Sequence, residues 1–486
     1  MPSGAKKLES KVHNGLSEMD GVICELLDFH SHTPDETLKN LTSLRSFFTQ
    51  KSVIELEADQ ANTIIDITLP FMLTDPESPE FINDRAYATP NHIFEASWII
   101  TNVASGNQTP VVIERGLVPL LCSQIASARS MEDTIMAEKL FSQAVWTLGN
   151  IAGERSTDSI VVDIARTGVV AEFAAWLPKL NRRNKAIVMW ALESMMSSSR
   201  QLCKAGLLSN FDEASSLAMD MVIECVDADW TIKQGGLIDD TMRFLFRVSD
   251  HDNELPRDKQ RPFVRACIAL FFDHPFLQTS IMSAFGNISN NSTEGSSILV
   301  EMGCVALLGA AISTSDAVST RKTAAWTLSN VVVDVPEVAF ESDIIDVLAQ
   351  CMATEKSPHV GKELVYVAAN LMDANDNPSV FINSGVIDGM INQMMNAVSV
   401  GTKQHRLVEE MLDVAAQSLQ LVLASNREGD LPIGVLIELV DEATCLGLDV
   451  HRLLEFMDVL QGIGVIDAWD PDDGDETGDV TEDSEA

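Results

Sequence analysis

Three segments of this chain repeat one short phrase: ASWIITNVASG at residues 96–106, AVWTLGNIAG at 144–153 and AAWTLSNVVVD at 324–334. Each sets a tryptophan four residues ahead of an asparagine. One helical turn separates i from i+4, so Trp98 with Asn102, Trp146 with Asn150 and Trp326 with Asn330 fall on one face of a helix. Copies of one helix stacked in register turn such pairs into a ladder.

A second phrase recurs between the first: VVIERGLVPLL from 111, VVDIARTGVVAEFAAWL from 161, LCKAGLLSNF from 202, LVEMGCVALLGAAI from 299 and VFINSGVIDGMINQM from 380. In each, a glycine (Gly116, Gly168, Gly206, Gly303, Gly385) separates two apolar helical stretches, where short helices need a sharp turn. The unit is therefore helix, glycine turn, helix, longer helix. The positions equivalent to the asparagine are 102, 150, 194, 246, 287, 330 and 370, with steps of 48, 44, 52, 41, 43 and 40. A period slightly above forty is the length of armadillo or HEAT repeats. TDPESPE and YATPN make residues 74–90 too polar and proline-rich for a helix interior and predict an enlarged loop there, and HDNELPRDKQRP at 251–262 reads as an insertion in the repeat frame. At 486 residues the chain exceeds one compact core, and no linker splits it, which favours an elongated repeat array.

The formal charge of −39 argues against a surface that tracks nucleic-acid phosphates and favours cationic partners. Eight dispersed cysteines with no CxxC pair read as reduced, mostly buried thiols of an intracellular protein. The chain shows no membrane-length apolar run, so no membrane partner is expected. Histidines and cysteines lack ligand spacing, and no nucleophile with a base or phosphate loop is present. No metal, no cofactor and no enzyme activity are expected. The local cluster Asp28, His30 and His32 reads as a helix end and loop.

Angular placement separates the tryptophans from the core. At about 100° per residue, with tryptophan at zero, asparagine falls near roughly 40°. The positions three before and eight after tryptophan fall at about 60° and 80°. They hold Glu95, Gln143, Glu154 and Asp334. Ser97, Ile100 and Ala104, with Val145, Leu148 and Ala152, and Ala325, Leu328 and Val332, cluster on the opposite side. A stripe of Trp, Asn and acid thus remains outside the core. Slots between indole rings suit lysine or arginine side chains, whose methylenes lie on the rings and whose charge gains cation–π attraction. Carboxylates such as Glu154 receive the ammonium, and asparagine suits the C=O and N–H of an extended backbone.

With these residues, ASWIITNVASG, QAVWTLGNIAGE and KTAAWTLSN resemble the repeats of the importin-α (karyopherin-α) family, over about residues 20 to 460. The resemblance implies an all-α fold, an armadillo-repeat right-handed superhelical solenoid of about ten three-helix repeats with a concave peptide-binding groove. It implies a nuclear import adaptor, shuttling between cytoplasm and nucleus, that binds lysine- and arginine-rich nuclear localisation signals. The major site would comprise Trp98, Asn102, Gly106, Thr109, Gln143, Trp146, Asn150, Glu154, Trp190 and Ser194. The minor site would comprise Asn287, Trp326, Asn330, Glu363, Tyr366 and Asn370. Departures from the pattern are Glu154 for aspartate, Ser194 for asparagine, Met242 and Phe246 for Trp and Tyr, Ser283 for arginine, and Tyr366 for tryptophan. The last predicts a weaker minor site.

The expected domains are a flexible N-terminus at 1–20, the solenoid at 21–465, and an acidic disordered tail at 466–486. The tail carries ten acids between Asp467 and Ala486. Residues 1–20 do not resemble the basic arm with which the family binds the importin-β carrier, so that partner stays open. A nuclear export receptor is implied near residues 439–465. The alternative is a general armadillo interaction scaffold; such scaffolds usually line the groove with basic residues, whereas this stripe is Trp, Asn and Glu.

Overall fold

The computed structural model describes residues 33–50, 55–72, 89–154, 158–228, 230–250, 253–375, 377, 379–400, 405–425 and 433–462, with single positions at 19, 21, 23 and 26. The loop expected at 74–90 lies outside them except for Thr89 and Pro90. So do Asp28, His30, His32, residues 1–18 and the acidic tail. The chain divides into two compact units, residues 1–277 and 278–486.

In the first unit, α1 (Pro34–Gln50), α2 (Ala58–Met72) and α3 (Pro90–Ala104) precede three sets of three. These are α4 (Thr109–Glu114), α5 (Leu117–Ala128) and α6 (Thr134–Gly153); α7 (Asp158–Arg166), α8 (Val169–Trp176) and α9 (Arg182–Met195); and α10 (Ser199–Lys204), α11 (Asp212–Asp227) and α12 (Leu237–Val248). α13 (Arg257–Phe271) follows. Helices α1, α3, α6, α9 and α12 pack in sequence as one row, and α5, α8, α11 and α13 as a second.

The second unit begins with α14 (Gln278–Asn291) and repeats the pattern. Its sets are α15 (Thr293–Glu301), α16 (Cys304–Thr314) and α17 (Val318–Asp334); α18 (Glu337–Phe340), α19 (Ile344–Thr354) and α20 (Pro358–Asp373); and α21 (Ser379–Ser384), α22 (Val386–Val400) and α23 (His405–Ser425). α24 (Ile433–Cys445) and α25 (His451–Gly462) end it. Helices α14, α17, α20 and α23 form its long-helix row, and α16, α19, α22 and α24 the other. No strand occurs among the described residues.

The short helices meet at the predicted glycines. Gly116 (φ 70°) and Gly168 (φ 81°) adopt the left-handed conformation, and Gly206, Gly303 and Gly385 repeat it. A Cβ at any of these would meet nothing within 4 Å, so backbone conformation, not space, calls for glycine. The core lies between the rows. Phe141 of α6 is fully buried against Phe173 and stacks on Trp176 at 4.6 Å. Cys225, Cys267, Cys304 and Cys351 are buried, and burial pushes the Cys304 thiol up to about 12.

One expectation changes form. The insertion predicted at 251–262 is helical from Arg257, with Pro262 inside α13. Lys259 Nζ bonds Asp220 at 2.6 Å and the Ser216 carbonyl at 3.1 Å, which ties this first stretch to α11.

Candidate peptide-binding surface

The tryptophan phrase lies on the long-helix row in both units. Asp133 starts α6 by accepting from the amides of Ile135 and Met136 at 3.1 and 3.0 Å. This N-cap sets the helix phase that follows. Val145, Leu148 and Ala152 are then buried while Trp146 stays half-buried. α3 and α17 repeat this, with Ser97, Ile100, Ala104 and Ala325, Leu328, Val332 inside, and Trp98 and Trp326 at the surface. Angular reading and structure agree that these indoles lie off the core.

Trp190 and Trp326 rest on the helix before them. A Cβ on Gly149 would lie 2.5 Å from Cζ3 of Trp190, and one on Gly286 would overlap three ring atoms of Trp326. Glycine at these two positions lets the indole lie against the backbone of the preceding repeat. The asparagines bridge the same steps. Asn150 Nδ2 donates to the Thr101 carbonyl at 3.3 Å, Asn330 Nδ2 to Gly286 at 3.2 Å, and Asn370 Nδ2 to Ser329 at 3.1 Å. Every acceptor immediately precedes the equivalent asparagine of the earlier repeat (Asn102, Asn287, Asn330). One amide hydrogen is thereby spent on the scaffold, which orients the remaining N–H and the carbonyl oxygen. Asn102 instead donates to the Trp98 carbonyl of its own helix at 2.8 Å. Ser194 makes no such bridge among the described residues.

Other predicted site residues are turned inward. Gln143 is buried and accepts from Thr101 Oγ1 at 3.1 Å, and Thr101 and Thr147 share a 2.8 Å bond beside it. Thr109 is buried and donates to the Ala104 carbonyl at 2.8 Å, fixing the turn at half-buried Gly106. Ser194 and Asn287 are buried too. These residues hold the row, while Trp98, Trp146, Asn150, Glu154 and Trp190 remain partly exposed in the first unit. Glu154 caps the end of α6, one residue past Gly153. Asp334, its counterpart after Trp326, accepts from Ser296 Oγ at 2.6 Å and Thr293 Oγ1 at 3.2 Å.

The ladder changes character at α12, as the Met242 and Phe246 departures imply, but through a charged network that the sequence reading missed. Met242 stands where a tryptophan is expected and is fully buried. Glu193 of α9 stands where other long helices carry Thr101, Gly149, Gly286 or Ser329. Arg247 lies 3.2 Å from Glu193 and Arg243 3.9 Å, and Arg243 also pairs with Asp239 at 2.8 Å and with Asp240. Burial raises the Asp240 carboxyl to about 6 in spite of the Arg243 charge. A charged network replaces the aromatic step. Glu193 in a small-residue position, facing two arginines spaced by four, was the available signal.

In the second unit, Trp326, Tyr366, Asn330, Asn370 and Glu363 are partly exposed. Lys362 Nζ sits 5.6 Å from the Tyr366 ring centre and pairs with Glu410. Burial raises the Glu363 carboxyl above its ordinary range, against the pull of Lys322 and Lys362.

A model of the armadillo/β-catenin-like repeat matches residues 292–333. That span coincides with the α15–α17 set. An engineered protein of known structure is similar over 90% of this chain and 98% of its own, with a TM-score of 0.61 and 16% identity. A structure from work on the phosphorylation switch between cadherin and β-catenin is similar over 89% of this chain and 78% of its own, with a TM-score of 0.57 and 13% identity. The fold is an all-α armadillo-repeat solenoid. In sequence, importin subunit alpha-2 of Arabidopsis thaliana is 41% identical over 81 residues, which is 16% of this chain and 13% of that relative. The similarity to importin-α is therefore partial. What armadillo repeats present, a continuous surface built from stacked units, is a scaffold for binding proteins.

Proposed function

We propose that this armadillo scaffold is a nuclear import adaptor that binds extended, lysine- and arginine-rich segments of cargo proteins along its long-helix row. The step from Trp146 to Trp190 carries the reading. Two partly exposed indoles stand on successive helices, the second seated on Gly149, with Asn150 held by its neighbour and Glu154 at the helix end. Lysine methylenes fit between such rings, its ammonium gains about 0.5 to 2 kcal/mol from the π faces, and carboxylate receives the charge. The net charge of −39 attracts basic segments over the whole surface, screened by salt beyond about 8 to 10 Å. The partial likeness to importin subunit alpha-2 supports this reading.

Trp98, Asn102, Trp146, Asn150, Glu154 and Trp190 form the principal surface, supported from below by Thr109, Gln143 and Ser194 and by the turn at Gly106. Trp326, Asn330, Glu363, Tyr366 and Asn370, supported by Asn287, form a second, weaker one. A cargo with two basic clusters gains from occupying both, because the second contact is intramolecular. Shuttling between cytoplasm and nucleus, with an export receptor engaging the C-terminal repeats, belongs to this reading, while the importin-β carrier stays an open partner. Fluorescence anisotropy with a labelled lysine-rich peptide, the same peptide with its central lysine changed to alanine, and an acidic peptide tests it. Tight binding of the first alone is expected; preference for the acidic peptide would overturn it.

A further inference from the structure

The α1 end of the row already holds a cation. The Arg45 guanidinium carbon of α1 lies 4.4 Å from the centre of the Trp98 ring, and its Nε is 2.5 Å from Oε2 of Glu95. Both side chains are largely withdrawn from solvent, Arg45 at 19% and Glu95 at 12% exposure. Phe94 closes the indole edge, with ring centres 5.4 Å apart. This is the chemistry of a bound arginine: a flat cation on an aromatic face, its N–H donating to a carboxylate.

Comparison along the row shows that Arg45 is a special case. The residue of the preceding helix against the ring is Gly149 at Trp190 and Gly286 at Trp326, but arginine at Trp98. The position three before tryptophan is Glu95 on α3 and the buried, neutral Gln143 on α6. Among the described residues, no cation stands over the rings of Trp146, Trp190 or Trp326. Acid and cation were thus placed together at one step.

We propose that Trp98 and Glu95 form a cation subsite that Arg45 fills from within, so that this side chain sets where a ligand's footprint ends. Vacating it gives the surface one further subsite for a guanidinium or ammonium group. The consequence for peptides rests on the reading above; the subsite itself does not.

Two measurements on the full chain separate these. In the first, propylguanidinium is titrated into Arg45→Ala while the Trp98 indole N–H is followed by NMR, assigned by its loss in Trp98→Phe. A saturable shift is expected in Arg45→Ala, and none in the wild type, in Arg45→Lys or in the double variant Arg45→Ala/Glu95→Gln. Failure of Arg45→Ala to saturate, or equal shifts in the double variant, overturns the subsite. Thermal melting confirms that each variant is folded; if Arg45→Ala is not, Arg45→Gln, which keeps part of the stem, takes its place. In the second, a lysine-rich peptide is lengthened by one arginine at either end. One extension should bind Arg45→Ala about fivefold tighter than the wild type, while the parent peptide shows no difference. Equal gains for parent and extended peptides would overturn the footprint role. Absence of any peptide binding to the wild type would sink the function proposal, leaving the propylguanidinium result to decide the subsite.

Discussion

The step from Trp146 to Trp190 in the first unit and the step from Trp326 to Tyr366 in the second are built from the same parts in different condition. The first has two indoles but an interrupted amide ladder, since Ser194 replaces asparagine. The second keeps the amide ladder, Asn330 to Gly286 and Asn370 to Ser329, but ends on a tyrosine beside Lys362. Aromatic and amide positions therefore do separable work. The amides tie successive long helices together, and the rings supply the partly exposed surface. A step can lose either and still stack.

Gly149 and Gly286 are where the two kinds of work meet, so substitution there should have the largest effect. Gly286→Ala forces a methyl into the Trp326 ring, whose atoms belong to a packed indole and not to a flexible tip. Overpacking of this kind costs about 1 to 3 kcal/mol. Denaturant unfolding should show that loss, with a red shift of indole emission as the ring is displaced. Gly149→Ala should do the same to Trp190 and also weaken peptide binding in the first unit. Unchanged emission in both would break the claim that glycine seats the rings.

A gain should follow from repairing the amide ladder. Ser194→Asn places a carboxamide where Asn330 sits in the second unit, with Trp190 on Gly149 as Trp326 is on Gly286. A new bond to the Gly149 carbonyl should add about 0.5 to 1.5 kcal/mol to stability. Denaturant melts would show the gain, with peptide affinity moving less than stability. If affinity alone rises, the asparagines serve the ligand more than the scaffold.

The network at α12 gives a pH signature confined to the first unit. Asp240 has a folded pKa of about 6, above its ordinary 3.8. Its contribution to stability is therefore fully present below about 4 and is lost as pH rises through 6. Asp240→Asn removes this dependence. The stability of the wild type relative to that variant should be about 1 to 3 kcal/mol higher at pH 4 than at pH 7.5. A constant difference between the two proteins across that range would contradict it.

Tyr366→Trp sets the smallest expected change. A larger π face should tighten peptide binding at the second surface by about 0.5 to 1 kcal/mol, provided Lys362 yields its place. Calorimetry with a peptide carrying two basic clusters would detect it as a stronger gain than with a single cluster.

Much of this was legible in the sequence because periodicity is a strong signal. Glycine turns at 116, 168, 206, 303 and 385 fell where helices of period 3.6 on either side require a left-handed residue, and the angular argument put Trp98, Trp146 and Trp326 off the core. What lay hidden depends on neighbours forty to fifty residues away. Gln143 read as a surface polar group, yet it meets Thr101 across the repeat step. Glu95 read as an open acid, yet Arg45, fifty residues earlier, reaches it. The stretch at 251–262 read only as an insertion in the repeat, yet it enters α13 from Arg257, where Lys259 pairs with Asp220. Spacing within one helix shows a face; only the packed row shows what that face meets.

The central claim is that the Trp146–Trp190 step recognises lysine. Isothermal titration of one lysine-rich peptide into the wild type and into Trp146→Ala, at fixed low salt, tests it most directly. A loss of about 1 to 3 kcal/mol for Trp146→Ala is predicted, with Trp326→Ala losing less. Equal affinity of wild type and Trp146→Ala would contradict the account.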